Sequence, residues 1–176
     1  PDFRTPYSRS YSVGIQRAIG KKMAVEVRYV GTRLVDGTAS ENWNEINWTS
    51  NGFLDEFQKA QANLAANIAN GKGNTFAYMG PNTGTSPLPI YLAYFNASKD
   101  AANPAAYSGT NWTNSTFVGR LSKLNPNLGS AASDLDGDAG RRRNAITAGL
   151  PSNFFVVNPD VNGVTVEVSD AFSGYD

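Results

Sequence analysis

Tyr7-Ser8-Arg9-Ser10-Tyr11-Ser12-Val13-Gly14-Ile15-Gln16-Arg17, joined through Ala18-Ile19-Gly20-Lys21 to Lys22-Met23-Ala24-Val25-Glu26-Val27-Arg28-Tyr29, is the stretch that decides the fold. Tyr7, Tyr11, Val13 and Ile15 share one parity, and Ser8, Ser10, Ser12, Gly14 and Gln16 share the other. Met23, Val25, Val27 and Tyr29 oppose Lys22, Ala24, Glu26 and Arg28 in the same way. A period of two belongs to strands with one apolar and one polar face. So short a link makes them an antiparallel hairpin, expected over residues 6–18 and 22–32. Arg9 and Arg17 are the only charges on the apolar face of these segments, near its two ends, where long side chains reach toward headgroups. An outer-membrane β-barrel hairpin with a tight periplasmic turn has this pattern. A soluble, half-buried sheet shares the alternation.

Composition removes whole classes of chemistry. The chain has no Cys and no His, which excludes disulfides, thiol nucleophiles, imidazole bases and Cys- or His-ligated zinc. Lys plus Arg equals Asp plus Glu at 15 each, so there is no basic field for a nucleic-acid backbone, and no nucleic-acid partner is expected. Charged residues make up only 17%, and Asn, Gly, Ser and Thr dominate, as in secreted and surface-exposed bacterial proteins. At 176 residues the chain is long enough for a real core. No run approaches the ~18 apolar residues of a transmembrane helix. Pro1-Asp2-Phe3-Arg4 lacks the apolar segment of a signal peptide, so an exported chain is expected to be a mature piece.

Beyond Gly31 the texture changes to Asn, Gly, Pro and Ser with scattered aromatics, as far as about Asn158. A structureless loop of that length is improbable, so the excursion must contain folded elements. Asn51 is a suitable N-cap for a helix over 52–70, with Asp55 and Glu56 in its first turn and Gly71 as its stop. Phe53, Leu54, Phe57, Ala60, Gln61, Leu64, Ala65 and Ile68 fall at helical spacing, and Phe53, Phe57, Leu64 and Ile68 are expected to be buried. Shorter helices are predicted at 88–96 and at 116–124, the latter with Phe117, Val118, Leu121 and Leu124 on one face and Asn125-Pro126 as its end. Val164, Val166 and Val168 then alternate with Thr165, Glu167 and Ser169 as a returning strand. The expected fold is mainly β with short helices. It comprises an amphipathic hairpin over 1–32, a long folded loop region over 33–158 with two or three helices, and a strand within 159–176.

Other motifs are less specific. Asp134, Asp136 and Asp138 with Gly137 make the oxygen-rich alternation of a calcium loop. Ala145 stands where an EF-hand places its bidentate Glu, and Arg141-Arg142-Arg143 follows, so a solvated turn is the simpler reading. The Arg run is either an exposed protease site or a partner for the acidic turn. Asn47-Trp48-Thr49, Asn96-Ala97-Ser98, Asn111-Trp112-Thr113 and Asn114-Ser115-Thr116 satisfy the glycosylation sequon, which arises readily by chance in such a composition. Trp43, Trp48 and Trp112 are candidate partner or glycan contacts, or anchors of a small core. No acid–base pair or nucleophile–base arrangement emerges, so neither an enzyme nor a cofactor is expected, calcium apart.

Several separated blocks together resemble the β-barrel of TonB-dependent receptor-like outer-membrane proteins of the Oar type. They are Thr5-Pro6-Tyr7, Ser12-Val13-Gly14-Ile15-Gln16-Arg17, Val25-Glu26-Val27-Arg28-Tyr29-Val30-Gly31-Thr32-Arg33 and Glu45-Ile46-Asn47. Asn51-Gly52-Phe53-Leu54-Asp55-Glu56-Phe57, Pro87-Leu88-Pro89-Ile90-Tyr91-Leu92, Asn153-Phe154-Phe155-Val156-Val157-Asn158-Pro159 and Ser173-Gly174-Tyr175-Asp176 continue the likeness. The resemblance implies a non-enzymatic slice of a much larger receptor at the bacterial outer membrane and cell surface, with the excursion outside the cell facing substrate or partner. The TonB box, the plug and most of the barrel are absent, so no transport residue is carried over. The implied partners are outer-membrane lipid and the rest of the barrel. Taken alone, the strands have open edges that suit strand addition between identical copies in a filament or tube. A soluble carbohydrate-binding or adhesin module is a further, weaker alternative.

Overall fold

The structure is a computed structural model that describes residues 5–124, 126–161 and 163–175, with residues 169–175 described by their backbone alone. Pro1–Arg4, Asn125 of the expected Asn-Pro stop and the closing Asp176 lie outside these residues. The chain divides into two compact units, one of residues 1–43 with 163–176 and the other of Asn44–Asn162.

The first unit is a three-stranded antiparallel sheet in the order β1-β2-β3, with β1 at Tyr7–Ile19, β2 at Met23–Asn42 and β3 at Thr165–Tyr175. Gly20, at φ 69°, makes the tight turn between β1 and β2, a conformation that costs glycine little. The hairpin registers Ile19 on Met23, Ile15 on Val27, Val13 on Tyr29, Tyr11 on Gly31 and Arg9 on Arg33. Strand β2 runs well past the expected end at residue 32. It crosses an irregularity at Asp36, whose φ of 56° is left-handed, and pairs with β3 from Asn42 on Thr165 to Arg33 on Tyr175. Two register shifts around Gly37 mark bulges, which bend a strand and increase its twist. The Gly-Thr-Arg texture after Tyr29 hid this continuation, because the strict alternation lapses there.

The second unit packs five α-helices among its described residues. They are α1 (Phe53–Ala69), α2 (Pro89–Asn96), α3 (Ser115–Arg120), α4 (Leu128–Asp136) and α5 (Ala139–Thr147), with 3-10 turns at Pro104–Ala106 and Thr110–Thr113. α1 and α2 match the sequence expectation, except that Gly52 rather than Asn51 is the N-cap of α1, the Asn51 side chain accepting from the Phe53 N–H. α3 stops at Arg120 rather than reaching 124, and Leu124 is 98% exposed instead of sharing a buried face. α4 and α5 replace what read as an acidic turn and an Arg run. Both are short and rely on caps: the Asn127 side chain accepts from the Ser130 N–H, and the Asp138 side chain from the Arg141 N–H.

An aromatic web makes the core of this unit. Phe53 meets Phe155 edge-on at 4.9 Å, Phe95 meets Trp112 at 5.0 Å and Phe117 at 4.9 Å, and Tyr107 meets Trp112 at 4.8 Å. Asn44 ties the two ends of the unit together. Its amide donates to the carbonyls of Asn158 (2.9 Å) and Val161 (2.7 Å), and its oxygen accepts from the Asn158 N–H (2.8 Å).

Candidate functional site

The sheet carries the feature that points outward. Val13, Ile15, Val27 and Tyr29 are 62–72% exposed, and Tyr7, Tyr11, Ile19, Met23 and Val25 on the same parity are also exposed. Opposite residues in an antiparallel pair project to the same side, so the register gathers these side chains into one apolar face. Tyr11 lies over Gly31, where a Cβ would come within 2.5 Å of the ring, and its centroid is 6.1 Å from that of Tyr29. The other parity is polar: Ser10 and Thr32 meet at 3.4 Å, and Arg28 pairs with Glu26 at 2.9 Å. Because β2 continues, Arg33 joins Arg9 and Arg17 on the apolar parity, directly opposite Arg9. Following the odd positions past Gly31 would have found it.

In the second unit the three aspartates turn to three different partners. Asp134 pairs with Arg120 at 2.9 Å, Asp136 accepts from the Tyr94 hydroxyl at 3.0 Å and lies 3.6 Å from Arg142, and Asp138 caps α5. The extended oxygen-rich loop expected at 134–138 is instead the junction of α4 and α5, and in a helix residues two apart point away from each other. Among the described residues no group of three carboxylates converges as a metal site. The backbone N–H of Arg141 holds the Asp138 carboxyl below its ordinary range, while burial and the neighbouring Asp136 push the Tyr94 hydroxyl far up. Arg141 and Arg142 donate to the carbonyls of Asp134 and Asp136 at the end of α4, so two of the three arginines cap a helix rather than standing free.

Of the tryptophans, Trp112 is 1% exposed, and its indole N–H donates to Asn96 Oδ1, which makes it core rather than a glycan platform. Trp48 is partly buried against the core of the second unit, whereas Trp43 is 63% exposed and donates to Glu41. Ile68, expected inside, is 52% exposed. It lines a shallow groove of ≈ 390 Å3 together with Gln61, Leu64, Ala65, Val118 and Leu121.

The buried side of α1 carries Phe53, Phe57, Ala60 and Leu64, as the stripe predicts, and three polar residues with them. Glu56 accepts from the N–H groups of Ile90 and Tyr91 at 2.9 and 2.8 Å, capping α2 from outside that helix. Burial pushes its carboxyl up to about 7 against the opposing pull of those two amides and of Lys59. Asn63 donates to the carbonyls of Phe76 and Ser86 and accepts from the Ser86 N–H, and Asn67 donates to those of Thr75 and Ala77. These groups satisfy main-chain atoms of the loop between α1 and α2, which has no strand ladder of its own.

An antiparallel sheet whose β1–β2 hairpin has one exposed apolar face and one polar face fits the wall of a membrane β-barrel. The family described as outer membrane beta barrel domain matches residues 1–115, and the chain belongs to that family. It is a cell-surface protein of the bacterial outer membrane. No curated protein and no solved structure matches it. No helix among the described residues is long and apolar enough to cross a membrane.

Proposed function

We propose that this chain is part of a TonB-dependent receptor-like barrel of the Oar type, in which β1, β2 and β3 form part of the wall and Asn44–Asn162 lies outside the cell, facing substrate or partner. The observation that carries this reading is an asymmetry. One end of the β1–β2 pair closes in a three-residue turn at Gly20, Lys21 and Lys22, and a folded unit with its own aromatic core is inserted between β2 and β3. Outer-membrane barrels place short turns on the periplasmic side and long loops outside. Three strands cannot close a barrel, so the remaining wall comes from elsewhere. The role is non-enzymatic: the chain has no His or Cys, and among the described residues the buried carboxyl with a raised pKa is Glu56, which is occupied in capping α2.

Because the sequence has no cysteine, single cysteines report cleanly. Fluorophores at Val13→Cys, Ile15→Cys and Val27→Cys should be quenched by a lipid-borne quencher, while those at Ser12→Cys and Gln16→Cys should not. A Leu124→Cys variant should react with a membrane-impermeant maleimide on intact cells. Quenching on both parities, or no maleimide labelling of Leu124→Cys in cells whose barrel is assembled, overturns the reading. The open outer edges of β1 and β3 favour a second arrangement, copies joined edge to edge. Intermolecular crosslinks between β1 and β3 cysteines would select it.

A further inference from the structure

The β2–β3 ladder carries a reversal that the hairpin does not. From Ile19 on Met23 to Tyr7 on Val35 the β1–β2 register is unbroken, so every odd residue of β2 from Met23 to Val35 stands on the apolar face. Against β3, Leu34 pairs with Gly174 and Gly37 with Phe172, so a step of three residues in β2 faces a step of two in β3. Positions 174 and 172, two apart in a strand, lie on one side of the sheet. Gly37 therefore shares the side of Leu34, the polar face, although its number is odd. The extra residue falls just before Gly37, where Asp36 has a left-handed φ of 56°, a conformation that Asp adopts more readily than most residues. A bulge of this kind re-aims the side chains beyond it.

Past the bulge the two faces exchange composition, because a slip of one residue sends every later side chain to the opposite side. The apolar face of the hairpin continues as Thr38, Ser40 and Asn42, with Glu167 opposite Ser40 and Thr165 opposite Asn42. All five are exposed and none is apolar. The other side continues as Ala39 and Glu41, with Val168 opposite Ala39 and Val166 opposite Glu41. Ala39, Val166 and Val168 are half-buried. Height gives the same boundary independently. From the Ile19–Met23 pair at the turn to the Tyr7–Val35 pair is twelve register steps. At ~3.4 Å per residue and a tilt of about 40° that is roughly 31 Å, against an apolar band about 25 Å tall. With the turn at one interface, Val35 is at the far limit of the band, and Tyr7 and Tyr11 lie at the level of an aromatic girdle.

We propose that the bulge at Asp36 and Gly37 ends the lipid-contacting surface of this wall. Lipid meets the odd side of β2 as far as Val35, and above it the outward surface is made by Thr38, Ser40, Asn42, Thr165 and Glu167 and meets water. A carboxylate such as that of Glu167 is costly on a lipid face and costs nothing in water. The six residues from Gly37 to Asn42 carry the ladder roughly 15 Å further, so the chain leaves the sheet well above the headgroups. Unbroken alternation would instead turn Ala39, Val166 and Val168 outward, an apolar strip in water that invites association. One extra residue thus lets a continuous wall change solvent. The inference rests on the barrel and orientation given under Proposed function.

The test uses the full protein assembled in the outer membrane, with single cysteines along β2. Two readouts are compared: quenching of an attached fluorophore by quenchers carried on lipid headgroups and acyl chains, and the rate of reaction with a bulky, membrane-impermeant polymer maleimide on intact cells. Val27→Cys and Val35→Cys should be quenched. Thr38→Cys and Ser40→Cys should be unquenched and should react at least tenfold faster than Ala39→Cys, which turns away from the outside. Should Ala39→Cys disturb assembly, Glu41→Cys on the same side takes its place. Lipid quenching at Thr38→Cys or Ser40→Cys overturns the proposal, as does reaction of the inward position as fast as Ser40→Cys. Absence of quenching at Val35→Cys beside a quenched Val27→Cys overturns it too. Val27→Cys also separates the failures: if it is quenched while the order of Ser40→Cys and Ala39→Cys is reversed, this inference alone falls, and if it is unquenched the barrel reading falls.

Discussion

Placing a lysine at Ile15 should be far more costly than placing one at Gln16, the next residue along the same strand. Ile15 pairs with Val27, four register steps from the turn pair Ile19–Met23. At ~3.4 Å per residue and about 40° of tilt this is roughly 10 Å into an apolar band about 25 Å tall, close to the midplane. A Lys at that depth on the lipid face costs about 2–4 kcal/mol, against about 0–1 near an interface. Gln16 projects to the other side and faces Glu26, so a Lys there gains an opposite-charge cross-strand pair worth roughly 0.2–1 kcal/mol. The two variants differ by one residue and carry the same charge, so the contrast isolates the face. Urea titration of the assembled outer-membrane protein, read from the heat-modifiable folded band, should show a lower midpoint for Ile15→Lys and an unchanged or higher one for Gln16→Lys. Equal shifts in the two variants, or less than about 0.5 kcal/mol for Ile15→Lys, would refute the assignment of the odd face to lipid.

Further outcomes follow from the second unit and from the packing of Tyr11 on Gly31. The Glu56 carboxyl is raised from its ordinary 4.5 to about 7, so the folded state binds its proton more tightly than the unfolded state does. Its contribution is fully present below 4.5 and is lost as pH rises through 7, about 3 kcal/mol in all, and Glu56→Gln should flatten that slope in thermal unfolding followed from pH 4.5 to 8. Asn67→Leu should destabilise the unit although it adds apolar surface, because the carbonyls of Thr75 and Ala77 lose their donor at about 1–3 kcal/mol each, while Ile68→Asn should stay within about 0.5 kcal/mol; hydrogen exchange over residues 72–88 would tell them apart. Gly31→Ala puts a methyl 2.5 Å from the Tyr11 ring and should cost about 1–3 kcal/mol, a cost that Tyr11→Ser should largely remove in a double-mutant cycle.

The hairpin was legible because its signal is local: parity over Tyr7–Ile15 and Met23–Tyr29 needs no knowledge of distant residues. Its continuation to Asn42 was not, since the strand there crosses a left-handed Asp36 and two register shifts and pairs with a segment more than a hundred residues away. α1 was found from its stripe, but the stripe was turned too far toward Gln61, Ala65 and Ile68. The buried side keeps Phe53, Phe57, Ala60 and Leu64 as expected and also takes in Glu56, Asn63 and Asn67, whose polarity argued against burial until their partners were known. α4 and α5 lack a strong apolar period, and caps with tertiary contacts hold them. The candidate sites divide in the same way. Arg9 and Arg17 were visible from parity, Arg33 was within reach of the same parity carried past Gly31, and Glu56 needed the fold.

The abundance of asparagine has a physical reason that composition alone obscured. Asn44, Asn51, Asn63, Asn67, Asn70, Asn96 and Asn144 all donate side-chain amides to main-chain carbonyls, several of them far away in sequence. Asn51, Asn103, Asn114 and Asn127 accept from backbone N–H groups where helical turns begin. A long insertion between two strands must satisfy a large amount of irregular backbone without a sheet ladder, and an unsatisfied buried group costs about 1–3 kcal/mol. Asparagine supplies a donor and an acceptor on a short side chain, with less entropy to lose than a longer one. The residue type that read as surface decoration is therefore much of the unit's internal scaffold. This leaves the aromatic residues to fill its core, and the hydrocarbon demand falls on the sheet alone.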